Sequence, residues 1–323
     1  MLPPTRPGGG RRAAVAAIAP TGQTPRMTDT TTGTNWGRWG ADDERGTLNL
    51  LTPERVLAAT QVCKTGKVYS LALPIQKHGV PILDHRGAPQ RLTLTSASDK
   101  EPYASMGGAP GLGANEDVLV IASHSITHMD ALSHVFTEDG IYNGFPRDEF
   151  SATSGAAHCD IRATGTFAGR GILLDVAGHQ GVDWLEPGHA IMSAELDACA
   201  NAQGTEVRAG DILLVRTGWL DFFATGDSDF AQPGLGVDAA SFVDDHEIAA
   251  VGADNTAIEC IPFDDNVFLA VHIELLVKRG VTLMEHLKLS ELAADGCYEF
   301  LFSVGALPVT GAAGSPINPV AIG

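Results

Sequence analysis

Three histidines and an aspartate fall within eleven residues: His124, His128, Asp130 and His134, in a chain of 323 residues with eleven histidines altogether. Imidazole and carboxylate are donors that suit Zn, Mn or Fe. The run follows residues 117–122, an apolar stretch that reads as a buried strand. Polar ligand types at the end of such a strand are costly to bury without a partner, so a divalent metal is the expected partner. A lone buried histidine is more often a satisfied core residue. Three of them with an aspartate at this spacing favour a metal site.

The spacing also constrains the backbone. In a helix, at about 100° per residue, His124 and His128 would stand roughly 40° apart and the pair Asp130 and His134 roughly 120° away on another face. A straight strand would align all four but spread them over roughly 33 Å. Metal–ligand bonds of about 2.0–2.2 Å allow neither. The chain must therefore bend inside the segment. The economical arrangement sets His124 at a strand end, a turn over Ser125 to Thr127, His128 and Asp130 side by side beyond it, and His134 arriving from the next turn.

The elements around the segment follow from local pattern. Thr52-Pro53 predicts a helix start, with Thr as N-cap and Pro at the first helical position, running to Gly66. Residues 77–116 are rich in Gly, Pro, Ser and Asp and read as a long loop with a short strand around Leu92 to Leu94. A loop of that length inside a domain is usually functional, and this one is expected to cover the pocket. Residues 172–176 and 212–216 read as buried strands. Helices are expected at 193–202, capped by Ser193, at 241–250 and at 270–278. A strand is expected at 281–284. The alternation indicates an α/β chain.

The central segment resembles H-x-G-T-H-x-D-x-P-x-H, the signature of the putative cyclase family, which includes bacterial kynurenine formamidases and isatin hydrolases. Other blocks are similar too: Asn35-Trp36-Gly37-Arg38-Trp39-Gly40, Arg170-Gly171-Ile172-Leu173-Leu174-Asp175-Val176, Gly210-Asp211-Ile212-Leu213-Leu214-Val215-Arg216-Thr217-Gly218-Trp219 and Gly314-Ser315-Pro316-Ile317-Asn318-Pro319. The resemblance covers most of the chain beyond about residue 35. Residues 1–34, ahead of it, read as a disordered tail from their Pro, Gly and Arg content, and the resemblance implies one metal-dependent hydrolase domain over 35–323. It implies a swivelling β/β/α fold with a mixed, barrel-like sheet flanked by helices, and a homodimer or homotetramer.

By the same resemblance His124, His128 and Asp130 are metal ligands and His134 is the catalytic acid/base. Downstream, His272 and Glu285 match a second histidine and glutamate. Some members place these on a second zinc bridged by the aspartate, and others bind a single manganese. An equal alternative is that His272 and Glu285 orient the first ligands. Two positions depart from the signature. Ile126 stands for the glycine and Leu132 for the proline. Isoleucine reaches positive φ only at a cost, so a turn of another type is expected, with a branched side chain that narrows the pocket.

Composition excludes other classes. Lys and Arg number 21 against 39 Asp and Glu, a net charge of −18. Nucleic acid is not expected as a partner, because phosphate binding needs basic stripes. The five cysteines are dispersed, with no C-x-x-C, which fits a reducing cytoplasm rather than a disulfide framework. No run approaches the ~20 apolar residues of a membrane span. Residues 13–19, after Arg11-Arg12, form a short apolar stretch weighed as an export signal against a tail, with Met27 as an alternative start.

These readings give an expectation: a divalent metal, Zn or Mn, one or two ions, activates water to hydrolyse the amide, lactam or ester of a small cyclic or aromatic substrate. The rivals are a metal-dependent lyase or cyclase and a non-catalytic metal- or ligand-binding protein. A cupin-type oxygenase is a weaker one. Trp36 and Trp39 are expected either to wall the substrate pocket or to anchor an N-terminal arm at a subunit interface. Arg216 and Asp254 read as a structural ion pair and a turn residue. His286 is expected to point away from Glu285.

Overall fold

The computed structural model describes residues 33–99, 103, 106–226 and 231–323. Apart from Gly33 and Thr34, the expected tail and its export-signal reading lie outside them. Fifteen strands are described: β1 (Val68–Ser70), β2 (Gln90–Thr95), β3 (Glu116–Val120), β4 (His128–Asp130), β5 (Phe150–Ser151), β6 (Gly155–Ala156), β7 (Thr166–Asp175), β8 (Ala190–Ile191), β9 (Ile212–Arg216), β10 (Gly234–Leu235), β11 (Ala250–Ala253), β12 (Thr282–Glu285), β13 (Glu299–Gly305), β14 (Gly314–Pro316) and β15 (Val320–Ile322).

Nine strands form one sheet in the order β1-β15-β13-β7-β9-β11-β12-β4-β14, curled into a half-barrel and flanked by helices. Strands β7, β9, β11 and β12 are parallel, and β4 and β14 add to the edge antiparallel. The mixed α/β, barrel-like sheet expected above is the one observed.

The parallel strands read as continuous apolar runs because both faces are covered. Ile172, Leu174, Leu213, Val215, Val251 and Leu283 enter one core. Leu173, Ile212, Leu214, Ala250 and Met284 enter the other. On β4, Met129 joins the second core, so His128 and Asp130 face the first. They stand by the carboxyl ends of β11 and β12, where open α/β sheets place their ligands.

Several local expectations need correction. Residues 117–122 are not a buried strand: β3 pairs only with β2 and is exposed throughout. The helix expected at 241–250 is Ala239–Asp245, and Ala250 opens β11, because the apolar run Ile248–Val251 belongs to the core rather than to a helix face. The helix Ser193–Gln203 is preceded by Met192, and the Ser193 side chain makes no cap; Asp238 Oδ2 accepts from the Ser193 N–H instead, at 2.9 Å. The first helix spans Pro53–Ala59, with Thr52 accepting from Arg55 N as its N-cap, and tightens over Thr60–Val62 rather than continuing to Gly66. All five cysteines are free. Among the described residues no helix is long and apolar enough to cross a membrane.

Candidate metal centre

Strand β4 lies between β12 and β14. Directly opposite residues of an antiparallel pair share a face. Glu285 is registered against His128, so the two side chains stand together, and alternation along β4 sets Asp130 beside them. His128 Nε2 lies 3.5 Å from Glu285 Oε2 and 3.7 Å from Asp130 Oδ1. His272 arrives from the helical turn Ala270–His272. Its Nε2 is 3.6 Å from Asp130 Oδ2 and 3.6 Å from Glu285 Oε1. His124 precedes the bend, with Nδ1 2.7 Å from Asp130 Oδ1. Gly314, registered against Asp130, leaves room for that ring: a β-carbon there would come within 2.4 Å of His124 Cε1.

The structure thus brings together all five residues expected as ligands. Three donor groups overlap: His124, His128 and Asp130; Asp130, His272 and Glu285; His128, Glu285 and His286. Within each, the donor atoms lie within 4.8 Å of one another. Asp130 belongs to the first two. His134 stacks on His124, ring centroids 3.8 Å apart, and sits 6.4 Å from the His272 ring.

The bend turns on Ile126. Its φ is +58°, so isoleucine does adopt the positive φ that the expectation of another turn type had ruled out for it, a left-handed region that glycine enters freely. The cost is roughly 1–2 kcal/mol. The Ile126 side chain is buried and does not line the cleft, so it does not narrow it. Leu132 likewise packs in the core. The Ile126 carbonyl accepts from His128 Nδ1 at 2.8 Å and from His286 Nδ1 at 2.9 Å. That bond fixes the His128 proton on Nδ1 and leaves the Nε2 lone pair facing the carboxylates, the form a ligand needs. His286 Nε2 pairs with Thr256 Oγ1 at 2.7 Å, so both its nitrogens are used and it positions rather than ligates. Far from pointing away, it packs 5.9 Å from the His128 ring.

Glu259 does for His272 what Ile126 does for His128. Its carboxylate lies 2.6 Å from His272 Nδ1 and also accepts from the backbone N–H groups of Val271 and His272. A carboxylate behind a ligating histidine is the usual way to fix its ring. Glu259 and Gly314 have no place among the residues expected from the sequence, and His286 appears there only as a residue facing away. Only Glu259 carried a signal, as a lone acid in the apolar run Ala257-Ile258-Glu259-Cys260-Ile261.

Burial and charge oppose each other throughout the cluster. Burial would raise the Asp130 carboxyl, yet His134, His124 and His272 hold it well below the carboxylate range. Glu285 is brought down to about 2 against burial, chiefly by His128 and His272. Burial lowers His128 and pushes His134 down to about 4. His272 is raised well above its ordinary value against burial, because Asp130, Glu259 and Glu285 surround it.

The residues fit a divalent ion. Asp130 is fully buried, and its Oδ2 has no hydrogen-bond partner among the described residues. An unpaired buried carboxylate oxygen is costly, and a cation satisfies it. Two carboxylates and three imidazoles are a donor set for Zn or Mn.

A cleft of about 680 Å³ opens beside these residues, with His134, His272 and Glu285 in its wall. Trp219, Phe223, Phe263 and Phe268 supply aromatic surface, and the segment Pro81–Arg86 forms part of its rim. That segment belongs to the loop expected to cover the pocket. His134 also borders a second cavity of about 420 Å³ lined by Phe136, Phe150 and His158.

Trp36 and Trp39 line neither cavity. Trp36 Nε1 donates to the Val277 carbonyl at 2.8 Å, and Trp39 carries the Arg38 guanidinium over its ring. In place of walling a pocket, Trp36 packs against the core of its own chain. Arg216 pairs with Asp175 and Asp221. Asp254 accepts from Thr217 N, Thr217 Oγ1 and Gly218 N, while burial pushes its pKa up to about 6. Both are structural, as expected.

The comparisons with known proteins agree on one family. A family model described as putative cyclase matches residues 69–260. A crystal structure of a novel cyclase is 32% identical, covers 90% of this chain and 99% of its own, and has a TM-score of 0.80. A structure described as a predicted metal-dependent hydrolase from Bacillus stearothermophilus is 20% identical, covers 79% of this chain and 97% of its own, and has a TM-score of 0.51. Isatin hydrolase A from Labrenzia aggregata, bound to benzyl benzoate, is 15% identical, covers 79% and 93%, and has a TM-score of 0.52. The last two share the fold. A search of the curated proteins found no match.

Proposed function

This chain belongs to the putative cyclase family, and on that premise we propose that it is a metal-dependent hydrolase adding water to the carbonyl of a small cyclic or aromatic amide, lactam or ester. The observation that carries the reading is the convergence of His124, His128, His272 and Glu285 on Asp130, with one Asp130 oxygen left without a hydrogen bond among the described residues. The hydrolase descriptions of the structures sharing the fold support the reaction class.

A divalent ion bound there supplies an acidified water at neutral pH and a Lewis acid for a carbonyl. Zinc and manganese both suit the donors. His124, His128 and Asp130 would hold one ion, and Asp130, His272 and Glu285 a second. Glu259 and the Ile126 carbonyl keep the His272 and His128 rings turned so that Nε2 faces the site.

His134 touches His124 yet faces the cleft. A ring nitrogen there can take a proton from water and return it to the leaving nitrogen or oxygen. Burial keeps the ring short of solvent, so the proton stays between the histidine and the reacting groups. Trp219, Phe223, Phe263 and Phe268 would pack the apolar part of the substrate and exclude water.

The test is metal analysis of the purified protein, followed by turnover of isatin, an aryl formamide and a simple lactone. The expected result is one or two equivalents of Zn or Mn and a product heavier by one water, with activity lost on chelation and restored by metal. Turnover that survives exhaustive chelation overturns the reading. A product without added water assigns the site to a lyase or cyclase instead.

A further inference from the structure

The rim of the cleft holds a cation that the metal chemistry does not use. Arg86 is half-buried, lies in the cleft wall, and donates through Nη1 to the His124 main-chain carbonyl. That bond ties the guanidinium to the backbone of a candidate ligand. It leaves the remaining N–H groups of a five-donor fork unspent.

The absence of an acid is informative in this chain. Acids outnumber bases 39 to 21. Arg38, Arg170, Arg216 and Arg279, whose side chains are largely withdrawn from water, each hold a carboxylate. Among the described residues Arg86 holds none, although Asp84 is two positions away in the same wall. Trp219 lines the same cleft, and its indole is buried. Arg86 therefore presents a cationic donor to a cleft whose other prominent surface is aromatic.

The geometry points to an aromatic carboxylate as the ligand of this cleft, its rings against Trp219, Phe223, Phe263 and Phe268 and its anionic group on Arg86. A guanidinium fork matches a carboxylate with two parallel N–H···O bonds. This rests on the hydrolase reading only for the location of the reaction. The carboxylate can be one the substrate carries or the one hydrolysis releases.

The experiment titrates the purified protein with benzoate and with benzamide, its neutral counterpart, by calorimetry. Wild type should bind benzoate at least about tenfold more tightly than benzamide, in the range of one charge-assisted pair. Arg86→Met should lose most of that preference with benzamide affinity and metal content unchanged, and Arg86→Lys should keep part of it. Equal binding of the two probes by wild type, or a preference that persists in Arg86→Met, overturns the proposal. So does an equal loss of both probes in Arg86→Met, which makes the arginine a structural tie to His124. These outcomes are read from binding and stand apart from the chelation test. With a substrate in hand, a raised KM at unchanged kcat in Arg86→Met places the carboxylate on the substrate. Weakened product inhibition at unchanged KM places it on the product.

Discussion

Strand β4 and the hairpin of β2 and β3 invert the ordinary relation between polarity and burial. Residues 128–130 are His-Met-Asp, and none is more than 1% exposed. Residues 118–120 are Val-Leu-Val, and each is at least 37% exposed. Position in the sheet decides the difference. Strand β4 has β12 on one side and β14 on the other, with a core beneath Met129. The hairpin strands pair only with each other, and a two-stranded ribbon has nothing to bury against. Leu92, Val118 and Val120 share one of its faces through the register Leu92 with Val118 and Gln90 with Val120. Buried polarity in β4 thus marks a site, whereas exposed apolarity in the hairpin marks a segment detached from both cores.

The sharpest way to break this contrast is Asp130→Ala. If the polarity of β4 serves a metal, bound Zn or Mn should fall to near zero by elemental analysis and turnover should vanish. Metal retained at the wild-type level would make the buried aspartate purely structural. His134→Ala comes next. It should keep its metal and lose roughly 10²–10⁴-fold in kcat, measured on whichever substrate the hydrolase assay identifies.

Glu259→Gln tests the layer behind the donors. Metal affinity should fall about 10–100-fold in a competitive chelator titration, because His272 loses the carboxylate that fixes its ring. Ile126→Gly sets two effects against each other. Relief of the left-handed strain returns roughly 1–2 kcal/mol, but removing a buried isoleucine side chain costs about 2–5 kcal/mol. The net expectation is a loss of up to about 4 kcal/mol in urea unfolding, so packing outweighs strain. The smallest effect belongs to the hairpin: Val118→Thr should change stability by less than about 0.5 kcal/mol. A larger loss would mean that this face is covered and that the contrast with β4 fails.

Much of the site was legible because its chemistry is local. The spacing of His124, His128 and Asp130 forced a bend, and the structure bends at Ser125 to Thr127. Strands β7, β9 and β12 announced themselves as apolar runs because both faces are buried. Glu285 and His272 were found by resemblance; no local pattern places a β12 carboxylate opposite His128. Register across an antiparallel pair is a long-range fact. The exposed β3 was misread for the matching reason. An apolar strand reports its composition but not whether a neighbour arrives to cover it. Glu259, 13 residues from the histidine it supports, becomes visible only when the turn before His272 folds back.

One consequence follows from the Ile126 carbonyl, which receives N–H groups from two rings 158 positions apart. Both lone pairs of a single oxygen are engaged, so the tilt of the His128 ring and the tilt of the His286 ring share one pivot. Rotational play in either is transmitted to the other, and from His286 onward to the Thr256 hydroxyl in the cleft wall. A ligand pressing on that hydroxyl would be mechanically linked, through two imidazoles and one amide oxygen, to the floor where the donors meet.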